Sequence, residues 1–160
     1  MSSYIPAVCR GYLSVDEPFV YHSWLKSYRG TWSDGLNPVR HVEKERYYKN
    51  QSELIGDLLA TSVVLVAANS EDIDQIFGYI VGLPIDLGLC IHYIFVKQPF
   101  RKLGVATLLF SELQRGTKTQ GLEVFSTHAT GVFHDILGPK FGITYDPYIL
   151  WNHREGASRL

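Results

Sequence analysis

The chain is poor in cysteine, has almost no net charge and lacks any long apolar run. Two cysteines, Cys9 and Cys90, among 160 residues exclude a disulfide-stapled scaffold. Both fall in apolar, strand-like segments, a setting for buried thiols rather than a disulfide. The six histidines show no ligand spacing with Cys or carboxylates, so no metal is expected. A formal net charge of −1 argues against broad electrostatic binding to nucleic acid or to an anionic membrane. The longest aliphatic stretch, Val63 to Ala68, is too short to span a bilayer. Residues 1–8 carry neither the basic segment nor the apolar run of a signal peptide. The Gly-x-x-x-x-Gly-Lys-Ser/Thr phosphate loop is missing, which discounts a nucleotide-binding protein of that kind. Repeats, low-complexity tracts and linkers are missing too. Residues 1–160 are therefore expected to form one cytoplasmic domain.

What is present is a regular succession of periodic segments. Residues 6–13 read as a strand. Ser14 and Glu17 match a capping box, with Pro18 in the first turn of a helix that presents Phe19, Val20, Ser23, Trp24, Ser27 and Tyr28 on one face and closes at Gly30. A loop rich in Gly, Asp, Asn and Pro spans 30–38. The charge run 41–46 reads as a solvated helical face, and Asn50 with Glu53 as the cap of a second helix carrying Leu54, Ile55, Leu58 and Leu59. Strands are expected over Ser62–Ala68, Gln75–Val81 and Leu89–Val96, with a broad turn over Gly82–Gly88. A helix from about Leu103 to Arg115, a strand Leu122–His128, a short helix Gly131–Leu137 and a last strand Ile143–Trp151 complete the order β-α-α-β-β-β-α-β-α-β. The strands flanking the third helix should be parallel and joined by a right-handed crossover.

The segment most informative about function runs from Val96 to Leu109. It leaves an apolar strand, passes through a short basic loop and enters an amphipathic helix. The loop reads Arg101-x-x-Gly104-x-Ala106. Such a junction offers unpaired backbone N–H groups at a helix N-terminus, a ready site for an anion such as a pyrophosphate. Gly104 and Ala106 keep the backbone open, and Lys97, Arg101 and Lys102 add positive charge. The same sequence also fits a plain strand-to-helix turn with a solvated Arg-Lys pair.

This motif, in this place in the element order, resembles the GNAT superfamily of acyl-CoA-dependent N-acyltransferases. The family pattern is a strand ending in Val, followed by Arg/Gln-x-x-Gly-x-Gly/Ala opening a helix. Val96, Arg101, Gly104 and Ala106 match it, and Leu108 and Leu109 match the apolar positions that follow. The resemblance implies an α/β (α+β) fold: a mixed, mostly antiparallel sheet of six to seven strands, helices on both faces and a splayed parallel pair at the centre. It implies acetyl-CoA as co-substrate and transfer of an acetyl group to the primary amine of a small molecule or peptide. It also allows a homodimer. Ile94, Phe95 and Val96 would pair with the pantetheine arm. Arg101, Lys102, Leu103, Gly104, Val105, Ala106 and Thr107 would surround the pyrophosphate.

The family often places a Glu on the strand before the motif and a Tyr on the helix after the next strand. Here the strand position four before Val96 is His92, an imidazole able to act as a base directly or through water. By spacing to Gly138, His134 takes the Tyr position, with Tyr145 on the last strand as a substitute. Tyr28, Trp32, Asp34 and His128 fall where relatives shape the acceptor pocket. Each also has a structural reading: His92 as a hydrogen-bonded sheet residue, His134 as a surface residue, His128 as a satisfied strand end, Tyr28 as core. Because the usual Glu and Tyr are replaced, the alternative function is a regulatory module that keeps the fold and binds coenzyme A or a protein partner.

Overall fold

A computed structural model describes residues 5–30, 38–130 and 136–152. Among the described residues, six strands form one sheet in the order β1-β2-β3-β4-β5-β6. Strands β1 (Ala7–Gly11), β2 (Val63–Asn69), β3 (Asp72–Ile85) and β4 (Gly88–Val96) pair antiparallel. Strand β5 (Glu123–Ser126) pairs parallel with β4, and β6 (Ile143–Tyr145) pairs parallel with β5. The sheet is thus mixed and mostly antiparallel, as expected, with the parallel character extended to a second pair. The helices are α1 (Glu17–Gly30), α2 (Lys44–Thr61), α3 (Val105–Thr117), α4 (Gly138–Phe141) and α5 (Ile149–Asn152).

Two apolar layers flank the sheet. On one face α3 sets Val105, Leu109 and Leu113 over Ala67, Ile80, Leu89 and Ile91. On the other, Val20 and Trp24 of α1 and Ile55 of α2 cover Val66, Tyr79, Val81 and Tyr93. Burial of these side chains, at roughly 1.5–3 kcal/mol each, is the main force pinning three helices to two faces.

Several element boundaries differ from the sequence reading. The box expected at Ser14 and Glu17 does not start α1. A 3-10 turn, Ser14–Asp16, precedes it, and Asp16 Oδ2 accepts the Leu13 N–H at 2.8 Å. Arg10 grips the same carboxylate through two nitrogens, at 2.7 and 2.8 Å. Burying Asp16 with a bidentate cation and a backbone donor outweighs a solvent-facing serine cap. Helix α2 begins at Lys44, so Asn50 lies inside it rather than capping it. Tyr47, Gln51, Ile55 and Leu58 are its buried residues, and that stripe carries the helix back two turns.

The broad turn expected over Gly82–Gly88 shrinks to Asp86-Leu87, because Gly82 to Ile85 stay in register with Ile91 to Gly88. Gly88 is required where β4 opens: a Cβ there would stand 2.1 Å from the Glu123 carbonyl oxygen. Strand β5 stops at Ser126, two residues early, since Ser126 Oγ donates to the His128 carbonyl at 2.6 Å and turns the chain. The last strand ends at Tyr145 rather than Trp151. Asp146 Oδ1 accepts the Tyr148 N–H at 2.9 Å, Pro147 lies in that turn, and α5 follows with Ile149 buried. The short helix expected over Gly131–Leu137 lies mostly outside the described residues. Its described end, Ile136-Leu137, is helical and leads into α4 at Gly138, with Pro139 in the first turn, where a missing N–H costs nothing.

Candidate active site

Strand β4 organises the site through one irregularity. Val81 of β3 pairs with Tyr93 and Gly82 pairs with Ile91, which leaves His92 as an extra residue without a β3 partner. This bulge reverses the faces of the strand. Before it, Leu89 and Ile91 face α3; after it, Tyr93 and Phe95 face α1. Pairing with β5 ends at the same level, with Ile91 beside Ser126 and a last bond from the Thr127 N–H to the Ile91 carbonyl at 3.1 Å. From there to Val96, β4 has no β5 register partner among the described residues. The parallel pair therefore opens into a gap, with His92 at its apex.

A cavity of about 510 Å³ passes through that gap. Ser27 and Tyr93 line it from the α1 side, and Val105 and Ala106 from the α3 side. Ile94, Phe95, Val96, Arg101, Lys102 and Gly104 also line it, so eight of the ten residues expected around coenzyme A meet in one place. Leu103 is half-buried and Thr107 exposed, both outside the lining.

The loop geometry follows from its glycine. Gly104 has a φ of 88° at the N-cap of α3, and a Cβ built there meets nothing within 4 Å. The first intrahelical bond runs from the Leu108 N–H to the Gly104 carbonyl at 2.9 Å. The N–H groups of Val105, Ala106 and Thr107 have no intrahelical acceptor, as at any helix start. Arg101 folds back, its Nε donating to the Val96 carbonyl at 2.8 Å, and so ties loop to strand. Lys97, expected to add charge to the loop, turns instead to α1, its Nζ 5.0 Å from the Phe19 ring centroid. Lys140 of α4 lines the cavity in addition. The described lining thus holds three cations and no carboxylate, the polarity a polyphosphate needs.

A second cleft, about 1280 Å³, has His92 in its wall. Tyr28, Gln51, His92, Thr127 and His128 form its inner wall, with α2, the β3–β4 turn and α5 around them. Its described lining contains Asp57 and Asp86 and no Lys or Arg. The two spaces are adjacent in sequence at both walls: Ser27 and Tyr93 line the first, Tyr28 and His92 the second.

Polar groups on the inner wall are linked. His92 Nδ1 lies 2.8 Å from Thr127 Oγ1, which lies 3.0 Å from His128 Nδ1; His128 Nε2 lies 3.1 Å from Gln51 Nε2. His92 is 1% exposed and His128 7%. Burial lowers the pKa of His92 to about 4. Burial first, and then His92, lower that of His128 to about 3. Both rings are neutral near pH 7. His128 is held in plane by Trp24, edge-on at 5.4 Å, and by Tyr28, tilted at 4.9 Å. Trp24 stacks in turn on Tyr93 at 4.6 Å. Tyr28 is therefore buried packing as well as cleft wall, its hydroxyl pushed up to about 12 by burial. Tyr145 stands opposite Ser126 in register, half-exposed, and lines neither space. Trp32, Asp34 and His134 lie outside the described residues.

Comparison with known proteins agrees with this geometry. The acetyltransferase (GNAT) family profile matches residues 18–135. The chain belongs to this family. No curated protein matches the sequence significantly. Among solved structures, a GCN5-related N-acetyltransferase from Rhodopseudomonas palustris superposes with a TM-score of 0.54 at 18% identity, covering 78% of this chain and 74% of that one. A GNAT-family acetyltransferase from Staphylococcus aureus gives 0.51 at 14% identity, covering 74% and 71%. A protein from Pyrococcus furiosus described as a candidate acetyl transferase gives 0.51 at 18%, covering 91% and 88%. At these identities the likeness is one of fold. Thr127 and Gln51 line the second cleft beside His92 and His128, and sequence reasoning passed over both. Thr127 adjoins His128, which was a weak signal; Gln51 is polar within the apolar stripe of α2, a clearer one.

Proposed function

We propose that this protein is an N-acyltransferase that moves an acetyl group from acetyl-CoA to a primary amine by direct transfer in a ternary complex. The observation that carries this reading is a pair of neighbouring spaces, one lined by Ser27 and Tyr93 and the other by Tyr28 and His92. One is cationic and open to the α3 N-terminus; the other is anionic. Gly104 and the first N–H groups of α3 suit a pyrophosphate. The edge of β4 from Ile94 to Val96 suits the amide-bearing arm of coenzyme A, whose thioester supplies the activated acyl group. Asp57 and Asp86 favour an acceptor that arrives as a cation, while Leu54, Leu58, Leu83 and Trp151 favour one with an apolar body.

Direct transfer is supported by the state of the two thiols. Burial pushes Cys90 up to about 12. Burial first, then Glu112, pushes Cys9 up to about 11. Both remain protonated at neutral pH and are poor acyl carriers. A second reading, a coenzyme A-binding regulatory module, is favoured by the near-complete burial of His92. Calorimetry with coenzyme A followed by turnover with a panel of primary amines separates the two. Binding with amine-dependent thiol release supports the enzyme; binding without release from any amine supports the module.

A further inference from the structure

Helix α2 carries the second cleft from one chemistry to another. Its Gln51 meets His128 just beyond the end of β5, and its last residue, Thr61, stands two residues before Val63, where β2 begins. Val63, Gly82, Ile91 and Ser126 are register partners in one row across four strands, about 14 Å from end to end. From Gln51 to Ser62 the chain rises about 16 Å, so α2 spans that row. At the β5 end the cleft wall is polar and uncharged: Gln51, Thr127 and two histidines kept neutral by burial. Leu54 and Leu58 line the cleft next. Asp57, also in the lining, lies about 9 Å along the helix from Gln51. The helix then ends with no basic residue in its last turn, so its own side chains leave the negative end of its dipole uncompensated. The hydroxyl of its C-cap, Ser62 Oγ, is buried without a hydrogen-bond partner. Asp86 lines the same cleft from the β3–β4 turn. Gly88, at the far side of that turn, is about 13 Å along β4 from His92. Neither carboxylate forms an ion pair with a described residue.

We infer that the acceptor is a linear diamine of about six carbons, held with one nitrogen at the uncharged wall and the other, as an ammonium, at the anionic end of the cleft. This rests on the acyltransferase reading above and names its substrate class. The reacting nitrogen needs a free lone pair, so it is not the group that the carboxylates attract. It meets the wall of Tyr28 and His92, the part of the cleft that neighbours Ser27 and Tyr93 of the donor space. Burial against uncharged groups disfavours an ammonium there. The far nitrogen keeps its charge, because Asp57, Asp86 and the α2 C-terminus all favour a cation, and Ser62 Oγ has lone pairs to offer it. Leu54 and Leu58 suit the methylenes between. In the transfer, the neutral nitrogen bonds to the acyl carbon and the C–S bond of the thioester breaks. The proton released by that nitrogen balances the departing thiolate. A monoamine of equal length forfeits the anionic end, and an amine with a carboxylate at its far end is repelled from it.

Three acceptors of one length test this: 1,6-diaminohexane, hexylamine and 6-aminohexanoate, which carry a cation, no charge and an anion at the far end. Thiol release from acetyl-CoA should give kcat/KM in that order, with the diamine ahead of hexylamine by about fivefold or more. In the Asp57→Asn, Asp86→Asn double variant the diamine-to-hexylamine ratio should fall toward one. Equal kcat/KM for the diamine and hexylamine in the wild type would overturn the inference. So would a preference that survives in the double variant, or turnover of other amines with none of the diamine. Calorimetry on the coenzyme A-loaded protein supplies a readout apart from turnover. There 1,6-diaminohexane should bind about fivefold or more tighter than hexylamine. If no amine is turned over, the acyltransferase reading fails by itself. Selective diamine binding then still supports this ligand assignment, and equal or absent binding overturns it.

Discussion

His92 Nδ1 lies 2.8 Å from Thr127 Oγ1, across the point where β4 and β5 stop pairing. The bond joins a bulged residue to the first residue beyond a strand end, so it exists only because both strands become irregular at one level. If this is where acyl transfer occurs, His92→Ala should lower kcat about 100-fold. The KM for acetyl-CoA should hold within about twofold, because binding is spread over the β4 edge and the α3 loop. Steady-state kinetics check this; an unchanged kcat would remove His92 from the chemistry.

The two buried histidines also set a pH dependence. Their pKa values in the fold, about 4 and about 3, lie below the ordinary value near 6.5. Between these limits the unfolded chain binds more protons than the folded one, so stability rises with pH. The contribution should be fully present above about pH 6.5 and lost progressively as pH falls toward 4, on the order of 3 kcal/mol or more for the pair. Urea denaturation from pH 7 to pH 4.5 measures it. His128→Gln should flatten the slope. Equal slopes in wild type and variant would show that His128 is not buried uncharged.

Gly104 separates binding from folding. A Cβ at this position meets no heavy atom beyond its chain neighbours within 4 Å, but its φ of 88° strains any side chain placed there. The cost is backbone strain, about 1–2 kcal/mol. The side chain would, however, stand over the first N–H groups of α3. Gly104→Val should weaken coenzyme A binding at least about tenfold, or about 1.4 kcal/mol, in a protein that still unfolds cooperatively. Calorimetry showing unchanged affinity would place the pyrophosphate elsewhere.

The second cleft predicts acceptor preference. Asp57→Asn combined with Asp86→Asn should raise KM for a cationic amine severalfold, while leaving KM for acetyl-CoA unchanged. Each exposed charge near a bound cation contributes only about 0.5–1 kcal/mol. Equal effects on both substrates would mean a general loss of structure.

The fold was legible from the sequence to different depths. The order of strands and helices could be read from periodicity, and the α3 loop from its Arg-x-x-Gly-x-Ala pattern, because both are local. The boundaries that moved were set by distant partners. Asp16 replaces Ser14 because Arg10 reaches it from β1, and β3 extends past Val81 because β4 pairs with it. The bulge left no periodic trace, since β4 is apolar on both sides of it; His92, the one histidine in that strand, was the clue. The tie from Thr127 to Gln51 joins residues far apart in sequence, and no spacing rule reports that. The loop after α1, with Trp32 and Asp34, and the segment with His134 lie outside the described residues.

The central claim is acyl transfer between donor and acceptor held in the two neighbouring spaces. The most direct measurement is free-thiol release from acetyl-CoA by the folded protein across a panel of primary amines, led by cations with apolar bodies. The account predicts amine-dependent thiol release, with the acetylated amine recovered in equal amount. A folded protein that binds coenzyme A and releases no thiol with any amine would contradict it.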